Sequence, residues 1–274
     1  MTGPLGPMIP TMRLRAVVHL FPAILLAGCV VPEPGPEVPL DEGLRMFGEV
    51  AFVRPQTPDT GLPHLQVVLI RDRHVVHGTI TWERGPLRDI RRDNRHAIGF
   101  LIRKGFALLG CEASRGPLPD DDGPSAAHRA AVRDALARGD RLHDLTVYQP
   151  IRYEEEFRDV LTVLGMEDPT MYKADAERFG QILEVRPLIG RADIPEGTRN
   201  EAARTMLTHM KAISANVDAR GRAAACNLIE HMLVEGNDRA MLLLGGAHAA
   251  GALAAFRDQG VTVRVFQCKS YARR

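Results

Sequence analysis

The sequence predicts an α/β protein, a Rossmann-like and mostly parallel sheet of about five strands with a helical insertion. Two observations carry that expectation. Continuous apolar stretches of strand length alternate with helical patterns, and three of the stretches end on a side chain that can ligate a metal or move a proton. Leu65 to Ile70 leads into Asp72 and His74, Phe106 to Cys111 into Glu112, and Ala240 to Gly246 into His248. In an open parallel sheet, ligands bind outside the carboxyl ends of the strands, so residues far apart in sequence converge there on one pocket.

The elements follow in order. Strands are expected over 65–71, 106–111, 144–149, 240–246 and 261–267, each apolar enough to be buried on both faces. Helices are expected over about 88–104, 124–138, 152–163, 168–184, 198–216, 221–235 and 248–258. Thr198 followed by Glu201 has capping-box spacing, and Met206, Leu207, Met210 and Ile213 then recur on one helix face. No strand pattern stands out between the third and fourth strands, which predicts a helical insert over about 151–235 that can roof the pocket. The polar, proline-bearing stretch 115–124 belongs at the pocket rim. Residues 64–274 are long enough for a single α/β domain with its own core.

The amino-terminal end reads differently. In residues 1–28, Arg13 and Arg15 precede an apolar stretch too short to span a bilayer, the pattern of an export signal. Leu26-Ala27-Gly28-Cys29 resembles the lipobox of bacterial lipoproteins, which makes Cys29 the expected lipid-modified residue and membrane anchor. Val30 rather than Asp follows it, so the expected location is the cell envelope, at an outer membrane and facing the periplasm where two membranes exist. Residues 29–63 form a Pro-rich tether and lead-in, with seven of the 19 prolines between 31 and 63, and folded structure is expected from about Leu44 onward. A net charge of +1 leaves no basic surplus for nucleic acid. Cys111, Cys226 and Cys268 make an odd set with no CxxC pair, and Cys111 and Cys268 read as small buried hydrophobes.

Two imidazoles and a carboxylate suffice for a catalytic zinc-type site with an open position for water. His74, His248 and Glu112 supply that set, and Asp72 is either a further ligand or the acceptor that orients His74. Glu112 is alternatively a general base. Taken singly, His74 reads as a loop histidine and Glu112 as a helix cap or ion-pair partner; only their shared placement after strands joins them. Gly245 and Gly246 form a tight turn into His248, where glycine permits close approach of a ligand and backbone N–H groups are exposed at a helix start. Asn227, Glu230 and His231 share a helix face that reaches either the pocket mouth or solvent, and Trp82 is expected near His74.

VVLIRDRH (67–74), LLGCEASRG (108–116), LGMEDPTMY (164–172) and LLLGGAHAAGALAAFRDQGVTVRVF (242–266) together resemble the superfamily that joins the TraB and Tiki proteins, the ChaN haem-binding lipoprotein and the erythromycin esterases. The resemblance implies a Rossmann-like sheet with a helical insert and a pocket carrying His74, Glu112 and His248. The chain departs from the pattern at Arg71, where the Tiki proteases carry glycine, and in the added segment HGTITWERGP (77–86). The function expected on these grounds is a membrane-anchored hydrolase of peptide or ester bonds, dependent on zinc or manganese. The alternatives are a haem- or small-ligand-binding lipoprotein and a non-catalytic envelope protein. A small molecule or peptide is the expected ligand, with no nucleic acid.

Overall fold

The structure is a computed structural model that describes residues 38–53, 62, 64–73, 81–82, 85–119 and 123–271. The chain begins with α1 (Leu40–Arg45), β1 (Gly48–Val53), β2 (Gln66–Asp72), β3 (Thr81–Trp82), α2 (Pro86–Arg103), β4 (Leu108–Ser114), β5 (Gly116–Pro117) and α3 (Gly123–Arg138). It continues with β6 (Leu145–Thr146), α4 (Gln149–Glu156), β7 (Thr162–Glu167), α5 (Pro169–Ile189), α6 (Glu196–Glu235), β8 (Arg239–Gly245), α7 (Ala249–Asp258) and β9 (Thr262–Cys268).

Seven strands form the main sheet in the order β1-β9-β2-β8-β4-β7-β5. The five central strands are mutually parallel, while the edge strands β1 and β5 run antiparallel to their neighbours. The α/β class read from the sequence is therefore the class observed. Strand alternation gives the sheet two apolar faces. Val68, Ile70, Leu109, Cys111 and Met241 face α2 and α4, whereas Val67, Leu69, Leu108, Leu242 and Leu244 face α6 and α7.

That layering fixes where a site can lie. The helix that follows β2, α2, packs on the Val68–Ile70 face, whereas β8 passes directly into α7 on the other face. Helices on opposite faces of neighbouring strands mark the carboxyl end of β8 as the usual place for a ligand in such sheets. Asp72 is level with Gly245 across β2 and β8, and Cys111 with Leu243 across β4 and β8, so the three strand ends expected to converge are neighbours.

Four expectations need correction. First, the run 144–149 gives only β6, which pairs with β3 in a separate two-stranded ladder, because Pro150 in the first turn of α4 starts a helix there. Second, the region 151–235 is not wholly helical: α4 ends at Glu156 and β7 supplies a central-sheet strand from Thr162 to Glu167, so the helix expected over 152–163 does not exist as such. Third, 198–216 and 221–235 are one continuous 40-residue helix, α6. Fourth, the fold starts earlier than Leu44: α1 begins at Leu40, and β1 pairs with β9 along its full length.

Beyond the sheet, α5 and α6 pair as a long helical hairpin. At ~1.5 Å per residue, α6 alone spans roughly 60 Å. Only Ala202 is buried in its first 24 residues, while Gly221, Ala224, Ala225, Leu228, Ile229 and Met232 recur at helical spacing and bury against the sheet. Arg220 sits at the changeover between the two regimes.

Candidate functional site

Glu112 lies where the register of β4 against β7 shifts between Cys111 and Ser114. Such an irregularity re-aims a side chain at a strand end. Its carboxylate turns toward the α6–α7 layer and meets three donors. Gly245 N–H donates to Oε2 at 3.0 Å, Arg220 Nη2 donates to Oε1 at 3.2 Å, and His248 Nε2 stands 3.1 Å from the same Oε1. The backbone carbonyl of Glu112 accepts from the Tyr148 hydroxyl at 2.5 Å, so residues on both faces of the sheet hold this position.

His248 ends the one-turn 3-10 helix, Gly246–His248, that leads into α7. Its Nδ1 lies 2.9 Å from the carbonyl of Val217 on α6. A carbonyl only accepts, so Nδ1 carries the hydrogen and Nε2 is the atom presented to Glu112. Burial alone would lower the basicity of His248, but the hydrogen bond and charge of Glu112, together with the Val217 carbonyl, outweigh it and raise its pKa above the ordinary value. With Nδ1 tied back, Nε2 is either a proton shared with a carboxylate or a lone pair offered to a cation.

Arg220 is the hub of the cluster. It grips Glu167 with two bonds, Nε to Oε1 at 3.0 Å and Nη2 to Oε2 at 2.7 Å, and reaches Asp175 through Nη1 at 3.2 Å. Asp175 also accepts from Arg178 at 2.7 Å and Asn216 at 3.1 Å. Burial raises Glu167 above the usual carboxylate range; Arg220 pulls it back and the charge of Glu112 pushes it up again. Glu112, Glu167 and His248 offer ligand atoms within 4.8 Å of one another, a group that can hold a metal ion. The side chain of Glu112 keeps 12% exposure against 7% for His248 and 1% for Glu167, so Glu112 is the most solvent-exposed of the three.

The other expected residues are placed as follows. Asp72 is buried on the opposite face of β2, where Asn94 of α2 donates to it at 3.1 Å, so it does not join Glu112 and His248. His74 and Cys29 lie outside the described residues. Gly245 contributes a backbone donor, though to Glu112 rather than to a cofactor. The amide of Asn227 donates to the Met166 carbonyl at 2.7 Å and so fastens α6 to β7, while Glu230 pairs with Arg115 at the surface. Trp82 pairs through its backbone with Leu145. Cys111 and Cys268 are buried and free and Cys226 is exposed; burial pushes the Cys111 thiol well up.

Glu167 and Arg220 are the members that sequence reasoning missed. Glu167 carried the same signal as Glu112, an acid ending an apolar run, Leu161 to Met166, but that run lies in a stretch that reads as helix and loop. Arg220 had no signal, since an arginine in a long helix is ordinarily a solvated one. Comparison with protein-family models, curated proteins and solved structures finds no match.

Proposed function

We propose that the chain is a membrane-anchored, metal-dependent hydrolase of ester or peptide bonds with the Glu112–His248 pair at its reacting centre. The observation that carries this reading is the orientation of His248. A backbone carbonyl holds Nδ1, and Nε2 is aimed at a partly exposed carboxylate oxygen 3.1 Å away. Outer hydrogen bonds of this kind fix the tautomer of metal-ligating and proton-transferring histidines alike.

The donor set fits a divalent cation. His248 Nε2 and Glu112 Oε1 would hold it, with Oε1 giving up its bond to Arg220, and Glu167 would join by giving up one of its two bonds to the same arginine. When bound, zinc or manganese supplies Lewis-acid polarisation and a bound water of near-neutral pKa. The chain supplies the rest. Gly245 N–H pins Oε2, so Glu112 presents Oε1 in one orientation. With a cation on Nε2 and Oε1, Glu112 would take up a proton at Oε2 and return it to a leaving group; without one, the pair would do so at Nε2. Arg220, permanently charged and buried, offsets negative charge that develops on a substrate oxygen near Glu112. A lipid anchor on Cys29 would place this centre at the cell envelope, against small-molecule or peptide substrates.

A second reading has its own observation. Arg220 already sets a positive charge against Glu112 and Glu167, the role a metal would play, which favours metal-free acid–base hydrolysis by the same pair. Metal content and chelator sensitivity separate the two. The first reading expects near one equivalent of metal, lost in folded His248→Ala and Glu112→Gln, and turnover abolished by a chelator. Turnover that survives metal removal establishes the second.

A further inference from the structure

We propose that Arg71 and Arg73, at the carboxyl end of β2, form a subsite for an oxyanion on the substrate, a carboxylate or phosphate; the inference rests on the hydrolase reading of Glu112 and His248. Both guanidinium groups stack on one ring, with Cζ 5.3 Å (Arg71) and 4.8 Å (Arg73) from the centroid of Tyr271. Their hydrogen bonds go to neutral acceptors: Arg71 Nη1 to Gln267 Oε1 at 2.6 Å and Arg73 Nη2 to the Tyr271 carbonyl at 3.2 Å. Neither meets a carboxylate among the described residues. By contrast Arg88, Arg92, Arg95 and Arg129, on the other side of the sheet, each do. Arg71 Nε is in addition buried with no hydrogen-bond partner.

The pair stands beside the reacting centre. Arg71 lies on the same sheet face as Val67 and Leu69, level with Leu244 of β8. Cys111 is level with Leu243, so the next step along β8 and β4 brings Leu244 beside Glu112. Arg71, Leu244 and Glu112 thus form one row across three adjacent strands, with Arg71 and Glu112 roughly 10 Å apart at two strand spacings. Gly246, in the turn that carries His248, leaves room for this cluster: a Cβ there would fall 2.1 Å from the Tyr271 hydroxyl and 3.3 Å from Arg71 Nη2. Two adjacent cations that meet no carboxylate among the described residues repel each other, and an oxyanion bridging them removes the repulsion while accepting the forked N–H groups that arginine presents. The substrate class is an ester or amide whose acid-bearing end lies about two strand spacings from the cleaved bond.

The test uses the full chain and two probes. Binding of free suberate, and separately of inorganic phosphate, is measured by calorimetry for wild type, Arg71→Gln, Arg73→Gln and His248→Ala. The subsite predicts that at least one probe binds wild type and His248→Ala alike and loses roughly tenfold or more in affinity in both arginine variants. Which probe wins tells carboxylate from phosphate. No binding of either probe, or equal binding by the arginine variants, overturns the subsite. Should Arg71→Gln fail to fold, the half-buried Arg73 carries the test alone. Rates on the 4-nitrophenyl esters of suberate and octanoate are then compared. The ratio favouring suberate should fall about tenfold in Arg73→Gln. Absent turnover of both esters with suberate binding intact would sink the hydrolase reading and leave the subsite standing.

Discussion

At the scale of single residues, His248 is a buried imidazole that its surroundings make more basic instead of less. The sign of the consequence follows. A folded-state pKa above the unfolded value means stability fully present below the unfolded value and lost as pH rises through the folded one. With chelator present, wild type should exceed His248→Gln by about 1–2 kcal/mol near pH 5, and the gap should close as pH climbs past the raised value. Denaturant unfolding across pH 5 to 9 reads it; a gap that widens with pH would contradict the His248–Glu112 pairing. Arg220 makes a sharper case. Removing it leaves Glu167 and Asp175 buried without their cation, so Arg220→Met should cost about 3–5 kcal/mol. Adding Glu167→Gln to that variant should recover part of the loss in thermal unfolding. Among these residues Glu112 and His248 were legible because each ends an apolar run, and Glu167 carried the same mark unheeded. Arg220 was not legible, because its role depends on where α6 crosses the sheet end, which no local pattern records.

At the scale of elements, the site depends on a close crossing of α6 over the turn into α7. A Cβ at Gly221 would lie 2.1 Å from the His248 carbonyl, and one at Gly251 would lie 2.0 Å from the Asp218 carbonyl. These two glycines bring the Val217 carbonyl within reach of His248 and turn Arg220 inward. Gly221→Ala should therefore destabilise by about 1–3 kcal/mol through overpacking and also lower turnover, since the helix shift moves Val217 and Arg220 together. An equally active Gly221→Ala would show that the crossing does not position the pair. The sequence reads as two helices, 198–216 and 221–235, whereas in the folded chain α6 runs unbroken through 217–220. β7 was missed because Val160 to Met166 continues without punctuation from the polar turn after α4 and periodicity alone does not separate a short apolar run from helix. The central strands β2, β4, β8 and β9 are legible within a few residues because each is a continuous, largely apolar run.

At the scale of the whole molecule, a three-layer sheet sets a charged cluster at the carboxyl ends of β4, β7 and β8, with the α5–α6 hairpin rising beside it. No described helix is long and apolar enough to cross a membrane. The proposed anchor is the lipid on Cys29, so Cys29→Ser should move the chain from the membrane pellet to the soluble fraction on fractionation. An unchanged pellet would contradict the anchor without touching the site. The central claim is that Glu112 and His248 form a hydrolytic centre. Its most direct test is the initial rate on a panel of 4-nitrophenyl esters and short peptides, with zinc or manganese and with chelator, for wild type and for His248→Ala shown to be folded. Measurable turnover is expected in wild type, falling at least about a hundredfold in the variant. Absent turnover in wild type under every condition, or equal rates in both proteins, would contradict it.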